Sequence, residues 1–439
     1  MKSRLPKVLQ PLGGRPLLAH VIEAAEIMQP ERIHVVYGHG GDVVKKRLAG
    51  VDVDWVLQQE QLGTGHAVKV AMPNIPDAAT VLILYGDVPM VRSVTLKKLV
   101  AQADEGALLT LILHHPGGYG RILRGQEGEV LGIVEEKDAD EEQKHISEVN
   151  TGIMAFPAAD LRRWLDRLGN QNAQGEYYLT DVVAMAVADG KRVEGITSPS
   201  EAEVLGVNDK VQLAEQERRY QYQQVTKLMT DGLTVADPRR VDIRGRLTFG
   251  RDASLDINTV IEGRVELADG VSIGPNCTLK NCRIGEDSVI LANSVIEDAE
   301  IGAGCQIGPF ARLRPDSVLQ DGARVGNFVE LKKTTLGRNS KVNHLSYIGD
   351  AEVGDDVNIG AGVITCNYDG ANKHRTVIGD GAFVGSDVQL VAPVTVGAGA
   401  TIGAGSTITK DAPEGDLTYS RSKQMTVTGW KRPTKNKDS

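Results

Sequence analysis

Aliphatic residues recur at every sixth position through much of the second half of the chain. Ile301, Ile307, Leu313, Leu319, Val325 and Leu331 form one such series, and Ile378, Val384, Leu390, Val396, Ile402 and Ile408 another. An amphipathic helix repeats at about 3.6 residues and a half-buried strand at 2, so neither explains the spacing. A period of six, with Gly following many of the aliphatics as in Ile307-Gly308, Val325-Gly326 and Val396-Gly397, is the mark of a parallel β-helix. Each hexad predicts one flat side of a coil, and three sides close a triangular prism whose core is a stack of inward aliphatics. The small residue permits the tight corner. Between Ile364 and Thr376 the stepping fails over CNYDGANKHRT, which predicts a loop leaving the prism, either functional or a plain surface loop.

Residues 1–208 carry a different pattern. Apolar β-rich runs, RIHVVYG at 32–38 and ATVLILYGD at 79–87, alternate with amphipathic stretches such as Leu17, Ala19, Val21, Ile22 and Ala25. That alternation predicts an α/β, Rossmann-like domain with a mainly parallel sheet, in which ligands bind beyond the carboxyl ends of the strands. Residues 209–231 contain no Gly or Pro before Gly232, and Val211, Ala214, Arg218, Tyr222, Val225 and Met229 fall three or four apart, predicting one long linking helix. Asp237-Pro238 stops helical structure. The reading is therefore an α/β domain at 1–208, a helix at 209–231, the prism at 232–420 and a solvated basic tail at 421–439.

Composition agrees with the prism. The chain has 49 Gly in 439 residues, above the usual ~7%, and residues 233–420 hold only seven aromatics. A net charge of -9 removes the global basic field that nucleic acid or an anionic membrane would need. Cys277, Cys282, Cys305 and Cys366 show neither CxxC nor a partnering His spacing, against a zinc site or a disulfide framework and for a reducing cytoplasm. No apolar leader or span of 18 apolar residues is present.

Candidate chemistry follows from position. Asp87 ends an apolar strand, where a carboxylate serves Mg2+ near phosphates or simply caps a turn. Lys7 could neutralise phosphate; Gln58 and the Gly63-Thr64-Gly65 turn could meet a base or phosphate. In the prism His344 could be a general base, or a corner residue bonded to the next coil. Arg312, Arg314, Lys332 and Lys333 accompany Glu330 nearby, and a coil of about 18 residues stacks Arg314 on Lys332 with roughly position 350 next, two cations suited to a phosphate monoester.

The motifs LPKVL (5–9), QLGTGHA (61–67), YGDVP (85–89), GYGRI (118–122), EVNTG (148–152) and GVN (206–208) precede GPFARLRP (308–315), GNFVELKK (326–333), GAG (360–362) and NYDG (367–370). Together, over essentially the whole chain, the set resembles the bacterial family of bifunctional N-acetylglucosamine-1-phosphate uridyltransferases and glucosamine-1-phosphate N-acetyltransferases. The resemblance implies acetyl transfer from acetyl-CoA to glucosamine-1-phosphate in the prism, then coupling of the product to UTP in the first domain with release of pyrophosphate. UDP-N-acetylglucosamine, a precursor of peptidoglycan and lipopolysaccharide, is the implied product. It further implies Asp87 and Asn208 as Mg2+ ligands, Lys7 on phosphate, and Gln58, Gly63, Thr64, Tyr85, Gly86, Gly120, Glu135 and Asn150 around the uracil, ribose and sugar. In the prism it implies His344 as general base and Arg314, Lys332, Tyr347 and Asn358 around the sugar phosphate. Ala361, Asn367, Tyr368, Ser386, Ala404 and Arg421 would contact acetyl-CoA, in a cytoplasmic homotrimer.

The family places an L-x-A-G-x-G-T-R-M segment ahead of S-x-x-P-K-V-L, whereas the sequence opens at Met1-Lys2-Ser3-Arg4-Leu5-Pro6-Lys7. Backbone amides and the arginine of such a loop cradle a triphosphate, so the alternative expectation is an acetyltransferase alone. A non-catalytic regulatory subunit is disfavoured by the joint presence of Asp87, Asn208, His344, Arg314 and Lys332. A zinc-dependent anion hydratase needs three histidines, and the prism has His344 and His374 only.

Overall fold

Strands form where the apolar runs predict them. The computed structural model describes residues 1–38 and 40–433, and the chain divides into two units, Met1–Tyr220 and Gln221–Ser439. In the first unit Thr80–Ile83, Ala107–Ile112 and Glu194–Thr197 share one direction, and the long strand Glu148–Pro157 runs opposite between the first two. The hairpin Arg121–Arg124 with Val130–Val134 extends this sheet, while His34–Tyr37 and Asp54–Leu57 form a separate parallel pair. Strand Ala107–Ile112 is mostly apolar, interrupted by Thr110, because residues 107–111 are buried on both faces. Leu108 packs with Trp164 and Val182 on one side, and Leu109 with Leu96 and Leu99 on the other. Strand Thr80–Ile83 ends just before Tyr85, Gly86 and Asp87, which places them at the carboxyl edge of the sheet.

In the second unit the hexad aliphatics point inward as expected. Ile307, Val325, Val342, Ile359, Val384 and Ile402 stack in parallel register, all buried in one continuous core. The register departs from a uniform coil of 18: these steps are 18, 17, 17, 25 and 18 residues. The long step contains the predicted loop, which leaves after strand Ile364–Cys366 and returns at Thr376–Ile378. One consequence is a correction. Lys332 stands beside Gly349, not 350, because the coil between them is one residue shorter.

Corners of the prism are turned by residues with positive φ, and most are Asn, Asp or Gly, the types that tolerate the left-handed region. Asn258 and Asn276, Asn281 and Asp298, and Asn339 and Asp356 add side-chain bonds from coil to coil. Phe310, Phe328, Lys333 and Leu345 break the rule. The glycines after the aliphatics answer a second demand, close approach of stacked backbones: a Cβ on Gly326 would lie 2.0 Å from the Asn343 carbonyl oxygen. Cys277 and Cys305 fill inward slots that elsewhere hold Ser, and their thiols donate to the Leu291 and Gln320 carbonyls. Burial pushes the Cys282 thiol up to about 12.

The predicted helix spans Lys210–Thr230, but its buried positions differ from the expected stripe. Val225 is buried as expected, but Val211, Tyr222 and Met229 are exposed, and Gln216 and Gln221 are buried instead. Polar residues replace apolar ones because the helix meets backbone. The Gln221 amide donates to the Ile243 carbonyl at 3.0 Å and accepts from the Ile243 N–H at 2.7 Å, completing the outer edge of strand Val241–Phe249 like a short peptide. Of the basic tail, residues 434–439 lie outside the described residues. Among the described residues no helix is long and apolar enough to cross a membrane.

Candidate functional sites

In the first unit, three residues far apart in sequence converge. The Lys7 ammonium donates to Asp87 Oδ2 at 2.5 Å and to Asn208 Oδ1 at 2.9 Å. Their loops are tied by the Val207 N–H, which donates to the Asp87 carbonyl at 3.0 Å. Asn208 is itself anchored, its N–H donating to Gln212 Oε1 at 2.7 Å. Two hard oxygen donors therefore already face one cation, the kind of donor that would hold Mg2+ beside phosphates, where one or two protein oxygens suffice. The residues fit the implied ion.

A second group surrounds Tyr85. Its ring lies over Gly152, where a Cβ would come within 2.5 Å of it, and the positive φ of Gly152 makes glycine doubly apt there. Burial, with Glu135 and Asp87 facing it, pushes the Tyr85 phenol up to about 12. Glu135 is also raised, by burial first and then by Asp181 and Asp138, although it accepts from Thr180 Oγ1 at 3.0 Å. Gly120 faces the Glu135 carboxyl, and its carbonyl accepts from the Asn150 N–H. The Gly63 turn opens helix Thr64–Ala71, with the Gln58 amide on its carbonyl at 3.1 Å. Gly86 lies against Val8, beside Lys7. Lys7, Asp87 and Asn208 thus form one group and Tyr85, Gly120, Glu135 and Asn150 another, while Gln58 meets Gly63 at the start of helix Thr64–Ala71; Thr180 was not anticipated, since nothing local in YLTD marks it.

In the prism, the register builds the site. Asn327 and His344 are partners in adjacent parallel strands, with His344 Nδ1 and Asn327 Oδ1 2.9 Å apart. That bond assigns the proton to Nδ1 and leaves the Nε2 lone pair free. The same corner continues as a column: the Gly362 N–H donates to the His344 carbonyl, Asp387 to Ala361, and Gly405 to Ser386. Arg421 then donates to the Ala404 carbonyl at 3.0 Å. So His344, Ala361, Ser386, Ala404 and Arg421 occupy successive rungs.

The next face carries the cations. Arg314 pairs with Glu330 at 2.8 Å, Glu330 neighbours Tyr347, and Lys332 neighbours Gly349, whose lack of a Cβ lets the Tyr347 phenol cross over it. The ejected loop returns Lys373 to this group, and the ammonium of Lys332 beside it holds Lys373 below the usual lysine range. Lys373 was missed because it sits outside the hexads. Asn367 of the same loop donates to Asp350, and the Tyr368 hydroxyl donates to the Gly370 carbonyl. The backbone N–H of Asn372, then His374 and the Ala371 N–H, hold Asp369 below the usual carboxylate range. Asn358 stands apart from the cations, in register with Lys341 on the His344 face; Asn367 and Tyr368 likewise lie off the Ala361 column.

Comparison with known proteins gives a consistent picture. Residues 1–173 match the MobA-like NTP transferase domain, 243–327 the GMPPB C-terminal domain, and 375–410 the bacterial transferase hexapeptide repeats. The chain is 56% identical over its full length to the bifunctional protein GlmU of Aromatoleum aromaticum, covering 96% of that protein. It is equally identical to the bifunctional protein GlmU of Alkalilimnicola ehrlichii, covering 95%. With two units, a nucleotide-type α/β sheet and a hexapeptide prism, the chain belongs to the GlmU family.

Proposed function

We propose that the chain makes UDP-N-acetylglucosamine in two steps, acetylating glucosamine-1-phosphate and then uridylylating the product. The observation that carries this is the full-length identity to proteins named bifunctional GlmU, together with a prism corner that aligns His344 with the Ala361 column. We assign uridylyl transfer to residues 1–208, acetyl transfer to 232–420, the link to 209–231 and an accessory tail to 421–439. An acetyltransferase alone is the less favoured reading, because Lys7, Asp87 and Asn208 converge as a nucleotide-transfer site requires.

In acetyl transfer, Arg314, Lys332 and Lys373 hold the sugar phosphate, whose charge relieves the repulsion between the two lysines. The sugar amine attacks the thioester carbonyl, Nε2 of His344 accepts the amine proton, and CoA leaves as the thiol once protonated. Asn327 keeps the ring in the tautomer that can accept. Acetyl-CoA lies along Ala361, Ser386, Ala404 and Arg421, with Asn367, Tyr368 and Asn358 closing around the substrates. In uridylyl transfer the phosphate oxygen of N-acetylglucosamine-1-phosphate attacks the α-phosphorus of UTP and pyrophosphate departs. Asp87 and Asn208 would hold Mg2+, which when bound offsets phosphate charge. Lys7 supplies a further positive charge, and Gln58, Gly63, Thr64, Tyr85, Gly86, Gly120, Glu135 and Asn150 orient base and sugar.

The prism assembles as a homotrimer in this reading. Supporting it, Phe310, Phe328 and Leu345 turn one corner with positive φ, stand exposed, and stack the two Phe rings 5.2 Å apart. Such strain in non-Gly residues is retained where it serves an interface or site. A bacterial cytoplasm suits the four free thiols.

Paired assays test the assignment. His344→Ala should cut acetyl transfer by roughly 10²–10⁴-fold and leave pyrophosphate release from UTP intact. Asp87→Ala should show the reverse. Loss of both activities in either variant would defeat the division of labour.

A further inference from the structure

Glu203 takes no part in the chemistry above, yet its side chain is almost wholly withdrawn from solvent, the residue being 2% exposed. A buried carboxylate persists only when it is paired, and here both oxygens are engaged from one short stretch of chain. The Thr95 hydroxyl donates to Oε2 at 2.6 Å, and the Arg92 guanidinium pairs with Oε1. Thr95 lies in the first turn of helix Ser93–Val100, where the aligned peptide dipoles also favour negative charge.

The placement matters because of what lies at equal distance along the two segments. Asp87 stands five residues before Arg92, and Asn208 five residues after Glu203. At the far end the segments are joined by the Val207 N–H on the Asp87 carbonyl. Between the two attachments Val204 packs with Val88 and Val91, and Val207 with Met90. One attachment alone would let the two loops pivot; a second, five residues away, stops them. Mg2+ accepts oxygen only near 2.0–2.1 Å and in near-octahedral order, so small changes in the Asp87 to Asn208 spacing decide whether one ion meets both.

We propose that Glu203 is a positioning residue for the Asp87–Asn208 pair, acting through Arg92 and Thr95; the inference rests on reading that pair as a divalent-cation site. Groups that orient metal ligands without touching the ion typically carry about 10–100-fold of affinity, and this clamp does so through the two loops that bear the ligands.

The test is Mn2+ titration of the full-length protein by electron paramagnetic resonance, with UMP binding by calorimetry in chelator as a metal-independent reference. Glu203→Gln and Thr95→Val should weaken Mn2+ by roughly 10–100-fold, with UMP binding and acetyl transfer unchanged. Thr95→Ser, which keeps the hydroxyl, should restore wild-type Mn2+ affinity. Unaltered Mn2+ binding in Glu203→Gln and Thr95→Val overturns the proposal, as does a parallel loss of UMP binding, which marks a packing role. Asp87→Asn separates the premise: if it leaves Mn2+ binding unchanged, the cation site itself is misassigned and the proposal falls with it.

Discussion

The two units solve the problem of gathering a site in opposite ways. In the prism, His344 meets Asn327 because they are 17 residues apart in stacked coils, and the rungs of the column follow one another by the parallel stacking of coils. In the α/β unit, Lys7, Asp87 and Asn208 meet because loops from distant parts of the chain are tied together. A repeated ladder ties the position of each side chain to backbone packing, so geometry and stability are one property. Loops on a sheet edge let the site be adjusted separately, at the cost of clamps that serve nothing else.

Backbone contact separates the two units most strongly. Gly326→Ala puts a methyl against the Asn343 carbonyl, and neither coil can yield without moving its neighbours. We expect a loss of about 1–3 kcal/mol in the urea unfolding of the prism and, because Asn327 and Asn343 flank the contact, a fall in acetyl transfer. Gly128→Ala, in a turn of the first unit with open space around it but φ of 83°, should cost about 1 kcal/mol and leave both activities alone. Equal effects would show that the ladder confers no special rigidity.

A subtler change acts on the His344 ring. Asn327→Asp sets a carboxylate at the His344 ring, and a neighbouring negative charge favours the protonated imidazole. Since the base must be neutral to accept a proton, the acid limb of kcat/KM for acetyl transfer should move to higher pH, with activity returning in alkaline buffer. An unmoved limb would mean that another group titrates. The smallest effect is expected in the first unit. Glu135 is held above its ordinary value chiefly by burial, so its neutral form is the one the fold favours. Its contribution is complete below the unfolded carboxyl pKa and is lost as pH rises through the folded value. Glu135→Gln should therefore raise the melting temperature of that unit at pH 7.5 more than at pH 4, while impairing uridylyl transfer.

The same contrast governs how much the sequence revealed. Period six showed the prism because each core aliphatic repeats the demand of the one below it, and the break at the NYDG segment marked the ejected loop. What it could not show was a coil of 17 instead of 18, which moved the neighbour of Lys332 to Gly349. The hydrophobic stripe of helix Lys210–Thr230 misled for a related reason: Gln221 is buried to satisfy a strand, and hydrogen bonding to backbone leaves no apolar trace. Asp87 stood out at a strand end. Its supporting Glu203 did not, because its partners are more than a hundred residues away and an acidic residue in SPSEAEVL reads as a solvated helix start.

The two hydrogen bonds from Gln221 to Ile243 bear on solubility. Strand Val241–Phe249 is the terminal rung of a parallel ladder, and an open rung of that kind is a template onto which another molecule's strand could add, and another onto that. By occupying both backbone groups of Ile243 from its own helix, the chain closes a point of growth and keeps a structure built from stacked repeats finite.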